Sequence, residues 1–127
     1  MDNQITIRRY LRPEYPEYNN FGGITFIFTM DYDNNTVEVQ FSICSLSDNF
    51  SKDIGFMNAR LSDSDIYDLD EFRKNANSDN SKGFVNTYLN SLYNKLVLSE
   101  KLSNRHRTLL KMVKYKNYLT AIEHYLK

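Results

Sequence analysis

The chain has 127 residues, 41% of them apolar, enough for one modest hydrophobic core and not for two. Its 16 basic and 16 acidic residues cancel, which excludes a nucleic-acid binder, or an acidic mimic of nucleic acid, that works through bulk charge; only local patches could do either job. The single cysteine, Cys44, excludes an intrachain disulfide, and no apolar run of signal or membrane-spanning length follows Met1, so the expectation is one cytoplasmic domain over 1–127 with no membrane association.

Taken in order, Ile5-Thr6-Ile7-Arg8-Arg9-Tyr10-Leu11 alternates as an edge strand, with Ile5, Ile7, Arg9 and Leu11 on one face and Thr6, Arg8 and Tyr10 on the other. Pro13 and Pro16 prevent its continuation, and a loop follows. After Gly22-Gly23, the segments Ile24–Tyr32 and Thr36–Cys44 alternate strictly and read as a hairpin. A two-residue turn at Asn34-Asn35 would set Met30 opposite Val39, Phe28 opposite Phe41 and Phe26 opposite Ile43, placing both apolar sets on one face.

Ser47 or Asp48 can then cap a helix from Asn49 to Arg60, with Phe50, Ile54, Met57 and Leu61 as its apolar stripe. Gly55 inside it implies close packing or a break. A second helix is expected from Ser64, carrying Ile66, Leu69 and Phe72, with acids early and Arg73-Lys74 late. Asn75–Gly83 reads as a polar loop. Val85, Leu89, Leu92 and Leu96 stripe a third helix, flanked by Phe84, Tyr88 and Tyr93. Ser103 or Asn104 can cap a last one, whose Met112, Tyr115, Leu119, Ile122 and Leu126 form a short heptad seam suited to an antiparallel pair or an oligomer contact. The expected fold is α+β: a small antiparallel sheet, made of the N-terminal hairpin and an edge strand, packed by three to four C-terminal helices.

For chemistry, the acidic run Asp63–Glu71 departs from a calcium loop at Tyr67 and at Asp68, where glycine is required, and reads as a solvated helix start. His106 and His124 are too far apart on one helix to share a metal, so no metal site and no cofactor are expected. Cys44 lacks an identifiable activating base in the sequence, and no catalytic residues are assigned. Two basic clusters remain: Arg8, Arg9 and Arg12, and Arg105, His106, Arg107, Lys111 and Lys114. Arg105 and Arg107 near a helix N-terminus would combine guanidinium forks with free backbone N–H groups, an arrangement suited to phosphate, and Phe84 or Tyr88 could stack a base.

The strand Val37–Cys44, followed by Ser45-Leu46-Ser47-Asp48-Asn49-Phe50-Ser51-Lys52-Asp53-Ile54-Gly55 and Ala59-Arg60-Leu61, resembles the first Thoeris anti-defence family of phage sponges, which sequester cyclic nucleotide signals. The resemblance covers about a quarter of the chain, and Leu46 and Phe56 stand where the family pattern has proline and arginine. It implies a non-enzymatic, phage-type anti-defence protein of the host cytoplasm, oligomeric, holding a nucleotide-derived signal and no specific nucleic acid. Arg60, Arg105 and Arg107 would then bind phosphates, with Phe84 or Tyr88 stacking. The alternative is a small inhibitor of a host defence protein, acting through exposed aromatics.

Overall fold

The computed structural model describes residues 3–12, 21–76, 83–98 and 100–114. Four strands, β1 (Gln4–Leu11), β2 (Phe21–Asp31), β3 (Thr36–Asn49) and β4 (Asp65–Asp68), form one antiparallel sheet in sequence order. Helix α1 (Lys52–Arg60) lies between β3 and β4 in the chain, and α2 (Leu69–Asn75), α3 (Phe84–Val97) and α4 (Asn104–Lys114) follow. The expected α+β architecture holds, with β1 at the sheet edge. Residues Tyr115, Leu119, Ile122 and Leu126 of the heptad seam lie outside the described residues, as do Pro13 and Pro16.

The sheet is covered on both faces. Ile24, Phe26, Phe28 and Met30 of β2 join Val37, Val39 and Phe41 of β3 in the main core, against Leu69, Phe72, Phe84, Tyr88, Leu92 and Leu109 of the later helices. The rings of Phe28, Phe72 and Phe84 meet at 5.1–6.1 Å between centroids, a spacing at which edge-to-face aromatic pairs add to the burial of their area. On the other face Thr25, Ile27 and Gln40 are buried beneath the side from which α1 docks.

The hairpin register differs from the expectation by two residues. Met30 stands opposite Val37, Phe28 opposite Val39 and Phe26 opposite Phe41. The loop is Tyr32–Asn35 rather than two residues, because the Asp31 carboxylate accepts from the backbone N–H groups of Asp33 and Asn34 and from Asn34 Nδ2 at 2.8–3.1 Å. Asn35 takes the positive φ of 54° that asparagine tolerates. A shift of two keeps every side chain on its expected face, so alternation alone could not distinguish the two registers.

Two helices also depart from expectation. Residues Asp65–Asp68 are strand, pairing with Thr36–Val39, and α2 starts only at Leu69, where Asp68 caps it by accepting from Glu71 N–H at 2.9 Å. Helix α1 begins at Lys52 with Ser51 as its cap, since β3 runs on through Asn49. Its expected apolar stripe faces water: Ile54, Met57 and Leu61 are 61%, 62% and 85% exposed. The buried residues are Gly55 and Ala59, four apart on one face. A Cβ on Gly55 would fall on the Thr25 hydroxyl, so only a small-residue face lets the helix come this close to the sheet. The approach is tied by Ser42 Oγ donating to Gly55 O (2.8 Å) and Gln40 Nε2 donating to the carbonyls of Arg60 and Ser62 (3.0 Å each).

Gly55→Ala is therefore expected to destabilise the fold by about 1–2 kcal/mol, the overpacking outweighing the gain in helix propensity. Thr25→Ala in the same chain should recover part of the loss by making room. Urea midpoints of both single variants and the double variant measure this, and strict additivity would show that the contact is not the cause.

Candidate functional site

The five residues expected to bind a nucleotide do not converge. Phe84 and Tyr88 are both 0% exposed, their rings packed on Phe28 and Phe72 and on Phe26 and Phe41, so neither offers a face to a base; this corrects the stacking expectation. An i, i+4 aromatic pair reads the same whether it lines a pocket or fills a core, and here the sheet claims both rings. Arg105 is turned into the sheet edge: its guanidinium lies 4.3 Å from the Phe41 ring centroid and donates to Phe41 O at 2.9 Å, covering β3 beyond the end of β4. Arg107 is exposed on α4, and Arg60 is exposed at the end of α1 on the opposite face of the sheet.

Beside α4 the hydrogen bonds run Ser103 to His106 to Asp65. Ser103 Oγ lies 2.5 Å from His106 Nδ1, and His106 Nε2 lies 2.8 Å from Asp65 Oδ2, which also accepts from the Tyr88 hydroxyl at 2.5 Å. With the Nε2 proton directed at Asp65, Nδ1 accepts from the Ser103 hydroxyl, a Ser-His-Asp chain whose two ring nitrogens are exchanged relative to a nucleophilic triad. The Ser103 oxygen is at the same time the α4 cap, accepting from His106 N–H at 3.2 Å, and the relay fastens α4 and α3 to β4. Burial raises the Asp65 carboxyl, but the hydrogen bonds from His106 and Tyr88 outweigh it and hold the group below the usual carboxylate range. Burial, with the Asp65 bond and charge, pushes the Tyr88 phenol far above its ordinary value. At Cys44, burial first and the Asp48 carboxylate after it push the thiol up, against the opposing bond from Gly22 and the charge of Arg12, so it is held as a thiol at neutral pH.

The structure assembles a different cationic site, along β1 and α1. The Arg8 guanidinium lies 3.5 Å from the Phe56 ring centroid, and that of Arg60, one turn on in α1, lies 5.9 Å from the same ring. Lys52 Nζ lies 5.2 Å from the Tyr10 ring, which meets Phe50 edge-on at 6.0 Å, and Arg12 stacks on Phe50 at 4.0 Å while its Nε donates to Gly22 O. Lys52, Phe56 and Arg60 fall at i, i+4 and i+8, one line along α1 facing β1. Arg8, Lys52 and Arg60 are exposed and make no ion pair among the described residues. The sequence held the signal in pieces: Arg8 and Tyr10 share the outward face of a strand, and Lys52, Phe56 and Arg60 share a helix face. Only the antiparallel placement of the two elements interleaves them.

No group of three or more metal-ligating side chains occurs among the described residues, and no helix there is long and apolar enough to cross a membrane. Comparison with protein families, with characterised proteins and with solved structures returns no match for this chain.

Replacing Asp65 with alanine leaves the buried Tyr88 hydroxyl without its acceptor and is expected to cost about 1–3 kcal/mol. The depressed carboxyl stabilises the fold above the ordinary aspartate range, a contribution lost as pH falls through the folded value. Unfolding midpoints followed from neutral into acid should show the gap between the wild type and Asp65→Ala narrowing by this pH-linked part while the part due to the Tyr88 hydroxyl remains, and a constant gap would contradict the assignment.

Proposed function

We propose that this protein is a non-enzymatic binder that sequesters a phosphate-bearing, nucleotide-derived signal on its β1/α1 face, in the manner of a phage anti-defence sponge. The observation that carries the reading is the pair of guanidinium groups, Arg8 and Arg60, set around one ring with no carboxylate partner among the described residues. A guanidinium held flat on an aromatic ring keeps its N–H edge for phosphate oxygens and its outer face for a base. The stretch Asp48–Leu61, which carries the family resemblance, forms the end of β3 and α1, the same element that builds the site. Phe56 stands where the family pattern has arginine, and Arg8 of β1 brings a guanidinium onto that position from across the sheet. The oligomer belongs to the proposal too, with Leu96, Val97 and Leu98 at the end of α3 as its exposed apolar surface.

A second reading rests on the exposed stripe Ile54, Met57 and Leu61, together with Ile66 on β4, 67% exposed: an inhibitor that covers a host defence protein with this apolar surface. Met57→Asp would then abolish capture of the host protein and leave nucleotide binding intact.

Isothermal titration with cyclic ADP-ribose isomers and cyclic di- and trinucleotides tests the first reading. Arg8→Ala and Arg60→Ala are each expected to weaken binding by tenfold or more without lowering the melting temperature, as loss of a charge-assisted hydrogen bond of about 1.5–3 kcal/mol requires. No heat and no thermal shift with any of these ligands would overturn it.

A further inference from the structure

The cationic face does not end at Phe56. Lys52 and Arg60 are eight residues apart on one helix line, about 12 Å along the axis, and Arg8 projects between them from β1. Tyr10 and Phe50 continue the row of rings beyond Lys52, ending at Arg12. β1 contributes no acid near this row, and the one carboxylate on α1, Asp53, forms no ion pair with these cations among the described residues. A chain of zero net charge therefore gathers Arg8, Arg12, Lys52 and Arg60, interleaved with aromatic rings, along β1 and α1.

We infer that this edge is a track for a single strand of nucleic acid, bound without regard to sequence. The inference rests on the reading of the β1/α1 face as a phosphate-binding surface and extends it from a compact ligand to a linear polyanion. Three cations spread over about 12 Å can meet successive phosphates of one backbone, and the rings with their guanidinium groups meet bases only where base faces are exposed, as in a single strand and not in a duplex. Arg8, Lys52 and Arg60 act here as charges, with the Arg8 guanidinium also offering a stacking plane, and none of these roles selects a base. Each cation that neutralises a phosphate releases counterions, so with three of them log K should fall with log salt at a slope of about −2. That is roughly a 20-fold loss between 50 and 200 mM salt.

Fluorescence anisotropy with labelled oligothymidylates of two, four, eight and twelve nucleotides, and with a duplex of the longest length, tests the track in the full-length protein. Affinity should rise with length until the track is covered, exceed that for the duplex, and show the stated salt slope. Arg8→Ala, Lys52→Ala and Arg60→Ala should each reduce the slope by about 0.7, with melting temperatures unchanged. Equal affinity for the dinucleotide and the longer strands, preference for the duplex, or slopes unmoved by all three variants would overturn the inference. Cyclic nucleotides that bind while oligonucleotides gain nothing with length would leave the signal-binding reading standing and remove the track. Length-dependent oligonucleotide binding without binding of any cyclic nucleotide would do the reverse.

Discussion

The structure depends on a central strand that must be dry on both sides. From Gly22 to Met30 every residue of β2 is buried, so apolar and uncharged side chains alternate between two covered faces rather than between core and water. Each face needs its own lid. The aromatic layer of α2, α3 and α4 covers Phe26 and Phe28, and α1 covers Thr25 and Ile27. The two lids obey different rules: the first interdigitates large rings, whereas the second excludes side-chain bulk altogether at Gly55 and Ala59.

The tight seat of α1 shapes everything on its outer surface. With Gly55 and Ala59 inward, Lys52, Phe56 and Arg60 are set beside β1, and Ile54, Met57 and Leu61 are left in water. Both functional readings therefore draw on a single packing decision. The cationic row lies along one flank of the helix and the apolar stripe along another, and the Thr25 hydroxyl beneath is buried without a hydrogen-bond partner among the described residues, a cost of the close approach.

At the far side of the sheet, Asp65 gathers Tyr88 and His106, and through His106 the capping serine of α4. A half-buried carboxylate with two donors is a satisfied polar node, and it joins elements that are 41 residues apart in the chain. The same four-residue strand that supplies Asp65 leaves the rest of the β3 edge open, and Arg105 meets that edge at Phe41. The basic cluster at the start of α4 is thus partly spent on holding the fold together, through Arg105 on Phe41 and His106 on Asp65.

Local periodicity dictates the set of faces: the two alternating strands of the hairpin, the edge strand, the aromatic side of α3 and the α+β class all follow from it, because side-chain direction depends only on backbone period. The paired registers, the start of α2 at Leu69 and the burial of Phe84 and Tyr88 required partners distant in the chain. Asp31 chose the loop and hence the register; β3 offered Asp65–Asp68 a ladder that no local pattern displays; and the sheet consumed Phe84 and Tyr88 as core. The cationic row was decided only in three dimensions, since its charges come from two segments some forty residues apart in sequence, and their juxtaposition follows from how closely Gly55 lets one helix lie on one strand.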